Sequence, residues 1–152
     1  MSNRVDATTI ILIRHGERDE PNPADPDPHL NELGRARAQT LIHVVGKSGI
    51  KAIYTSHFLR TKETAQPLAE RLSLLGIQID AVSDIRNDIL SKHTGKTVLV
   101  IGHTDSVPQL INQLGAGRGV NIQNGEFDRL FVVTVFSSGR ASLTELKYGN
   151  QS

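Results

Sequence analysis

Short apolar segments alternate with longer amphipathic segments along most of the chain. The apolar segments are rich in β-branched residues, which is typical of buried strands, and they predict strands at Thr8–Ile13, Lys51–Thr55, Ile77–Val82 and Thr97–Ile101. The amphipathic segments predict helices at Asn31–Lys47, Ser56–Leu75, Asp84–His93 and Ser106–Leu114. Two further strands, Leu130–Phe136 and Ala141–Lys147, flank Ser138-Gly139, a sequence that favours a hairpin turn.

This order of elements predicts an α/β fold, because strands that alternate with helices form βαβ units with right-handed crossovers. We expect a three-layer sandwich with a mostly parallel central sheet, helices on both faces and a C-terminal antiparallel hairpin. Pro67 lies inside the second helical segment and predicts a kink or a later helix start. The first helix is expected to bury one face, formed by Leu33, Ala36, Thr40, Leu41, Val44 and Val45.

Length and composition predict one domain over residues 1–152, with its core at about 8–148. A chain of 152 residues that is 38% hydrophobic can bury a single core. A net charge of +1 and 4% aromatic residues argue against a nucleic-acid partner. Zero cysteines exclude disulfides and cysteine-based metal sites. Neither a membrane-spanning segment nor an apolar signal core is visible, so we expect a cytoplasmic protein without a membrane partner.

The loop from Arg18 to His29 has an unusual composition. It contains four of the six prolines together with four acidic residues. Proline fixes φ and cannot donate to a sheet, so the loop is expected to be exposed and semi-extended. A solvated connector and a flap beside a functional site are both open interpretations, since loops often carry function.

Basic and histidine side chains follow three of the predicted parallel strands. Arg14 and His15 follow the first strand, Arg60 follows the second, and His103 follows the fourth. Sites in open α/β sheets lie beyond the carboxyl ends of the strands, so these side chains should converge. Arginine forks match phosphoryl oxygens, a neutral imidazole is a nucleophile toward phosphorus, and Gly16 would let the backbone approach the phosphate. The set therefore predicts a phosphate site.

Each of these residues also has a structural interpretation. A lone histidine after a strand often only binds loop backbone, and this applies to His103. Arg14 directly follows a buried strand, where an unpaired charge is costly, so it would need a partner, and Glu17 could serve. Arg60 lies in the first turn of a helix, where a cation opposes the macrodipole, which favours a functional role. Convergence at one sheet edge favours the phosphate site.

Three motifs occur in order and resemble the histidine phosphatase (phosphoglycerate mutase-like) superfamily, especially its compact bacterial members. They are I-L-I-R-H-G-E, S-H-F-L-R-T-K-E-T and V-L-V-I-G-H-T-D-S-V-P, and the segments Leu30–Ala38 and Glu126–Val135 also resemble family sequences. The resemblance implies a phosphatase of the phosphoglycerate mutase-like fold, in which His15 is covalently phosphorylated and water then releases the phosphate. It implies that the phosphate is held by Arg14, Gly16, Arg60, His103 and Thr104. It also implies no metal, no cofactor, and a phosphorylated small molecule or phosphoprotein as substrate.

The sequence departs from the family pattern at the proton donor. Active relatives usually carry a glutamate after the third strand, but Asp80–His93 contains none. Asp105 is the main candidate, and it could either donate a proton to the leaving group or cap the next helix. Glu17, Asp84 and Asp88 are further candidates.

The chain also lacks the long insertions that cover the site in mutase-type relatives. Transfer to a second hydroxyl needs a site that excludes water, so mutase activity is disfavoured. A protein-phosphohistidine phosphatase and a catalytically weak phospho-ligand binding module are the alternatives to a phosphomonoesterase.

Overall fold

The computed structural model describes residues 7–152 as one six-stranded sheet flanked by four helices. The elements, in chain order, are β1 (Ala7–Arg14), α1 (Glu32–Val45), β2 (Ile50–Thr55), α2 (Leu59–Leu72), β3 (Gly76–Gln78), α3 (Val82–Lys92), β4 (Thr97–Gly102), α4 (Ser106–Gln113), β5 (Arg129–Phe136) and β6 (Ala141–Lys147). Residues 1–6 of the predicted domain lie outside the described residues. No helix within 7–152 is long and apolar enough to cross a bilayer.

The sheet has the strand order β3-β2-β4-β1-β5-β6, and the predicted α/β architecture is confirmed. Strand β1 pairs in parallel with β4, β2 pairs in parallel with β4 and β3, and the hairpin of β5 and β6 joins β1 in antiparallel orientation. Because β5 runs against β1, the beginning of β5 lies at the same sheet edge as the carboxyl ends of β1 and β4. That edge therefore receives side chains from four different segments of the chain.

The sheet separates two hydrophobic clusters. Ile10 and Leu12 of β1 pack with α3 and α4 on one face, and Ile11 and Ile13 pack with α1 and α2 on the other. Successive strand residues point to opposite faces, so a continuous apolar run is what a strand covered on both sides requires. This double burial fixes β1 in the middle of the molecule and holds its last residue, Arg14, at the edge.

Two element boundaries differ from the sequence prediction. Helix α2 begins at Leu59 and continues through Pro67, so the later start is wrong. Strand β3 is only three residues long, and Val82 already belongs to α3. The amide of Ile79 still donates to Thr55 O, but the next side chain, Asp80, binds His57 and the sheet pairing ends there.

Helix α1 buries only part of the face that hydrophobicity predicts. Leu41 and Val45 are buried as expected. Leu33 is 55% exposed and Val44 is 45% exposed, whereas Gly34 and Arg37 are buried. Gly34 packs on the backbone of Glu17, where an added Cβ would lie 2.2 Å from the carbonyl oxygen. The contact face thus includes a glycine and an arginine, and a search for hydrophobic positions identifies neither of them. Helix α1 is rotated so that this face lies against the segment after β1.

Candidate active site

The predicted phosphate-binding side chains converge at the carboxyl edge of the sheet. Arg14 is the last residue of β1, and the amide of the next residue, His15, donates to Gly102 O at 2.9 Å, which extends the pairing of β1 with β4. Arg60 lies in the first turn of α2, and His103 directly follows β4. The edge rule for α/β sheets therefore brings together residues that lie up to 89 positions apart in the sequence.

His15 is held in one orientation and one tautomer. Its side chain is buried, and Nδ1 lies 2.7 Å from Gly16 O. A carbonyl can only accept, so Nδ1 carries the proton and Nε2 keeps a free lone pair. Consistent with this, Nε of Arg60 donates to Nε2 of His15 at 3.2 Å. The nitrogen that is available for attack faces the guanidinium that would hold a phosphoryl group.

His15 remains neutral because of its surroundings. Burial lowers the pKa of His15 to about 2, and although the hydrogen bond to Gly16 opposes this shift, the charge of Arg14 and the contributions of His103 and Arg60 add to it. An imidazole in this environment is unprotonated across the physiological range. It therefore has the protonation state that a nucleophile needs.

Arg14 is a buried cation held by backbone and not by a carboxylate. Its Nη1 donates to the carbonyl oxygens of Gln123, Asn124 and Glu126 at 3.4, 2.7 and 2.9 Å. The guanidinium carbon lies 3.9 Å from the ring centroid of Phe127, a cation–π contact. Its Nε is buried and has no hydrogen-bond partner within residues 7–152. Burial, assisted by the charge of Arg18, lowers the pKa of Arg14 to about 10. Nη1 of Arg14 is thus bound to the backbone, whereas Nε has no hydrogen-bond acceptor among the described residues.

Glu17 is not the partner that a structural interpretation of Arg14 would need. Both oxygens of Glu17 bind Arg37 instead, at 2.8 Å to Nε and 3.0 Å to Nη2. Burial alone would raise the pKa of the Glu17 carboxyl, but the hydrogen bonds and charge of Arg37 outweigh it and lower the pKa. Glu17 is therefore occupied in its ionised form, which argues against it as a proton donor.

His103 lies beside His15 and is oriented by a serine. The two imidazole centroids are 5.3 Å apart, and Nε2 of His103 is 2.9 Å from Ser56 Oγ. Burial lowers the pKa of His103 to about 4, with a further contribution from the charge of Arg60. Ser56 thus contacts the site through His103.

Two of the other predicted phosphate-site residues contribute less directly. The amide of Gly16 donates to Thr64 Oγ1 at 2.8 Å, so this N–H is already satisfied within the protein. Thr104 is half-buried beside His103. Gly16 lies against α1, where an added Cβ would be 3.0 Å from the Cα of Gly34. Its glycine character is explained by this close packing.

The carboxylates proposed from the sequence as proton donors have other contacts. Asp105 is exposed and is the N-cap of α4, accepting from Ser106 N at 2.7 Å, so its capping interpretation agrees with the geometry. Asp88 accepts from the Tyr54 hydroxyl at 2.8 Å and pairs with Lys92. Asp84 is exposed in the first turn of α3. Proton donation by Asp105 stays a prediction.

Three residues near the site were missed by the sequence analysis. The charge of Arg18 lowers the pKa of both Arg14 and Arg60, second only to burial in each case, and its Nε is buried without a partner among the described residues. Phe127 and Phe58 supply rings beneath Arg14 and Arg60. The antiparallel hairpin could have indicated Phe127, since it places the segment before β5 at this edge.

The loop 18–29 is docked beside the site. Arg18 and Leu30 pair as an antiparallel bridge, and the tip is closed by reciprocal backbone hydrogen bonds between Asn22 and Asp25. On the return arm, His29 and the amide of Leu30 bind the carboxylate of Glu63 on α2. The loop therefore forms a wall against the first two turns of α2, which agrees with the flap interpretation.

A groove of about 610 Å³ lies elsewhere, between α1 and α2. It is lined by His29, Arg35, Gln39, Glu63 and Gln66 among others, and none of the four convergent side chains contributes to it. Within residues 7–152 no three histidine or carboxylate side chains are grouped as a metal-ligand set. The groove and the convergent side chains at the sheet edge are therefore separate features of the described surface.

Comparisons with known proteins agree with the fold and the motifs. The chain is 33% identical over 87 residues to phosphoserine phosphatase 1 of Hydrogenobacter thermophilus, and 31% identical over 74 residues to an 8-oxo-(d)GTP phosphatase of Mycolicibacterium smegmatis. These alignments cover 54% and 47% of this chain but only 41% and 23% of the two relatives. This chain thus matches less than half the length of either enzyme.

Solved structures show the same fold at lower sequence identity. The protein histidine phosphatase SixA complexed with tungstate superposes with a TM-score of 0.72 at 20% identity, covering 91% of this chain and 96% of that one. A mycobacterial glucosyl-3-phosphoglycerate phosphatase gives a TM-score of 0.69 at 16% identity, covering 96% and 100%. Residues 10–87, just over half of the 152, match the sequence family described as histidine phosphatase superfamily (branch 1). The chain belongs to the histidine phosphatase superfamily, branch 1.

Proposed function

We propose that this protein is a metal-independent phosphatase that hydrolyses a phosphomonoester through a covalent phosphohistidine on His15. Residues 1–152 form a single histidine phosphatase domain in this proposal. The observation that carries it is the His15 geometry: Nδ1 donates to Gly16 O, and the free lone pair of Nε2 lies 3.2 Å from Nε of Arg60. A nucleophile that faces an arginine fork in a buried site is suited to attack on phosphorus.

In the first step, the Nε2 lone pair of His15 attacks phosphorus and the bond to the leaving oxygen breaks. Arg14, Arg60 and His103, with Arg18 close by, hold the phosphoryl oxygens and stabilise the charge that develops on them. This catalysis rests on position and electrostatics, as expected for a loose phosphoryl-transfer transition state. Asp105, or another nearby acid, supplies the proton to the leaving group.

In the second step, water attacks the phosphohistidine and the electron pair of the P–N bond returns to Nε2. Nδ1 keeps its proton on Gly16 O throughout, so the phosphorylated ring is cationic and departs as a neutral imidazole. The low pKa of His15 makes it a good leaving group, because an imidazole that resists protonation also resists carrying a positive charge. The environment thus keeps Nε2 unprotonated before the first step and favours its release in the second.

Hydrolysis, and not transfer to a second hydroxyl, is the outcome we propose, since no long insertion covers the site and mutase chemistry needs water to be excluded. Phosphorylated small molecules and phosphoproteins are the substrate classes. The proposed protein needs neither a metal nor another cofactor, works in the cytoplasm, and has no nucleic-acid or membrane partner.

A protein-phosphohistidine phosphatase is the second candidate. It is favoured by the absence of glutamate from Asp80–His93, because an imidazole leaving group needs less protonation than an alkoxide. The protein histidine phosphatase SixA shares the fold over 91% of this chain, which is compatible with such a substrate.

The test is to incubate the protein with a labelled aryl phosphate in EDTA and to quench at high pH. We expect turnover and a base-stable, acid-labile adduct that maps to His15. His15→Ala should lose both, whereas His43→Ala, a change at an exposed histidine of α1, should retain them. Phosphate-dependent thermal stabilisation without turnover would instead indicate the weak phospho-ligand binding module. A faster rate on a phosphohistidine protein than on any ester would favour the second candidate.

A further inference from the structure

The acidic residues around the site differ in how strongly they are engaged. Five of them act electrostatically on its cations and imidazoles: Glu17, Glu20, Asp27, Asp80 and Asp105. Glu17 is bound on both oxygens by Arg37, and Asp80 accepts two hydrogen bonds from His57 through one oxygen. Asp105 is exposed where it caps α4 and the Glu20 side chain is 93% exposed, whereas Asp27 is half-buried. The remaining carboxylate, Asp27, requires separate consideration.

Asp27 shares the guanidinium of Arg60 with the nucleophile. One oxygen of Asp27 lies 3.8 Å from Nη1 of Arg60, whose Nε contacts Nε2 of His15 at 3.2 Å. Arg60 therefore spans the distance from the attacking nitrogen to this carboxylate. A phosphoryl group held by Arg60 would therefore lie close to both His15 and Asp27. In-line displacement places the leaving oxygen opposite the attacking atom, which is the position that an acid must reach.

The fold holds Asp27 in this position. Pro26 and Pro28 flank it, so the backbone on both sides has restricted dihedral angles, and Pro28 is buried. Its carboxylate accepts from Leu59 N at 3.2 and 3.3 Å, and so caps α2 from another segment, because the N-cap residue Phe58 makes no side-chain cap hydrogen bond. The return arm of the loop is fixed to Glu63. A carboxylate anchored in this way is preorganised and not a mobile surface group.

We propose that Asp27 is the proton donor to the leaving group, an inference that rests on the proposed phosphatase function. In the first step the P–O bond breaks, its electron pair stays on the leaving oxygen, and that oxygen takes the proton of the Asp27 carboxyl. In the second step the Asp27 carboxylate takes a proton from the attacking water, which restores the acid. The proton and the electron pairs balance over the cycle without any other reactant than water.

Asp27 lies beside charged groups of α2 and of its own loop. Nη1 of Arg60 is 3.8 Å from its carboxylate, and the pair of His29 and Glu63 joins the adjacent arm to α2. A phosphate held by Arg60 would therefore also lie beside the Asp27 carboxyl.

The experiment compares leaving groups in Asp27→Asn. Asparagine keeps an oxygen to accept from Leu59 N but carries no transferable proton. We expect kcat/KM for an alkyl phosphate to fall about 100-fold or more, and for p-nitrophenyl phosphate to fall about tenfold or less, because nitrophenolate leaves without a proton. Across a series of esters the rate should become steeply dependent on the leaving-group pKa. Asp27→Glu should restore part of the alkyl phosphate activity.

The matched control is Asp25→Asn, which removes the same charge from an exposed position in the same loop and should leave both rates unchanged. Equal losses on the two esters, or no loss on the alkyl ester, would overturn the assignment, and so would a leaving-group effect that appears in Asp105→Asn instead. Thermal unfolding of each variant separates a folding defect from a chemical one. An Asp27→Asn protein that unfolds at the assay temperature would indicate only a capping role and would overturn the assignment. A wild-type protein that forms no phosphohistidine would overturn the proposed function, and this inference with it.

Discussion

Two buried arginines, Arg37 and Arg14, lie in neighbouring segments and have opposite surroundings. Arg37 is 3% exposed, binds Glu17 with two hydrogen bonds, and donates to the carbonyls of Tyr148 and Asn150. Burial opposes its charge, yet the Glu17 contacts outweigh this and raise the pKa of Arg37. Arg14 is 6% exposed, has no carboxylate partner within residues 7–152, and has a lowered pKa.

The difference separates a charge that is neutralised within the protein from one that is not. A buried cation with its own carboxylate completes its electrostatics within the protein. Arg14 has no such partner among the described residues, although its neighbour Arg60 has Asp27 at 3.8 Å. In the proposed function an anionic ligand would complete the electrostatics around Arg14, at a cost to the stability of the free protein.

The largest expected effect is on the paired region. Arg37→Met leaves Glu17 without its cation and removes the donors to two carbonyls, so we expect the free energy of unfolding to fall by about 3–5 kcal/mol. Urea unfolding measures this, with Arg71→Met, at an exposed arginine of α2, as the control. Adding Glu17→Leu to Arg37→Met should recover part of the loss. A single variant as stable as wild type would refute the structural role.

We expect the reverse pattern for Arg14, namely a large loss of activity and a small loss of stability. Arg14→Met is expected to lower kcat for an aryl phosphate about 10²–10³-fold, because a donor aimed at the transferring group is lost. Its unfolding free energy should change by less than about 2 kcal/mol, since removal of an uncompensated buried charge offsets the lost hydrogen bonds to carbonyls. Activity assays and urea unfolding on the same samples test both parts. Retained activity with a large loss of stability would erase the distinction between the two arginines.

The sequence predicted the convergence of the site better than the way the site is supported. Arg14, His15, Arg60 and His103 were located by a rule about strand ends, which depends only on the order of elements. The partners of Arg14 are backbone carbonyls from residues 123–126, more than 100 positions away, and no local pattern encodes them. Contacts of this kind depend on the path of a loop and not on residue type.

The α1 face illustrates the same limit within the fold. Hydrophobic periodicity favoured Leu33 and Val44, yet the helix buries Gly34 and Arg37 because the segment after β1 approaches it closely and supplies Glu17. Arg37 can be buried because Glu17 pairs with it, and this pairing is a tertiary contact that a local pattern does not encode. The sequence thus predicted the existence of the helix, while its rotation depended on the neighbouring loop.

The smallest effect, on the pH dependence of stability, separates the two regions most directly. His15 has a pKa of about 2 in the folded protein and His103 about 4, both lowered chiefly by burial from the ordinary value of 6.5. The unfolded chain takes up protons at these positions below pH 6.5 while the folded protein does not. The contribution of these two histidines to the free energy of unfolding is therefore complete above that pH and is lost as the pH decreases toward the folded pKa values.

We expect wild type to lose about 1.4 kcal/mol for each of these two histidines between pH 7.5 and 5.5, measured by urea unfolding. His15→Gln should lose about 1.4 kcal/mol less than wild type over this interval, and His43→Ala should match wild type. Glu17, whose pKa is lowered from an ordinary value of 4.5, contributes stability that is full above that pH and declines only below it. Acidification should accordingly weaken the region around His15 and His103 first and the Arg37 pair afterwards. Identical slopes for wild type and His15→Gln would mean that His15 is not held neutral by the fold.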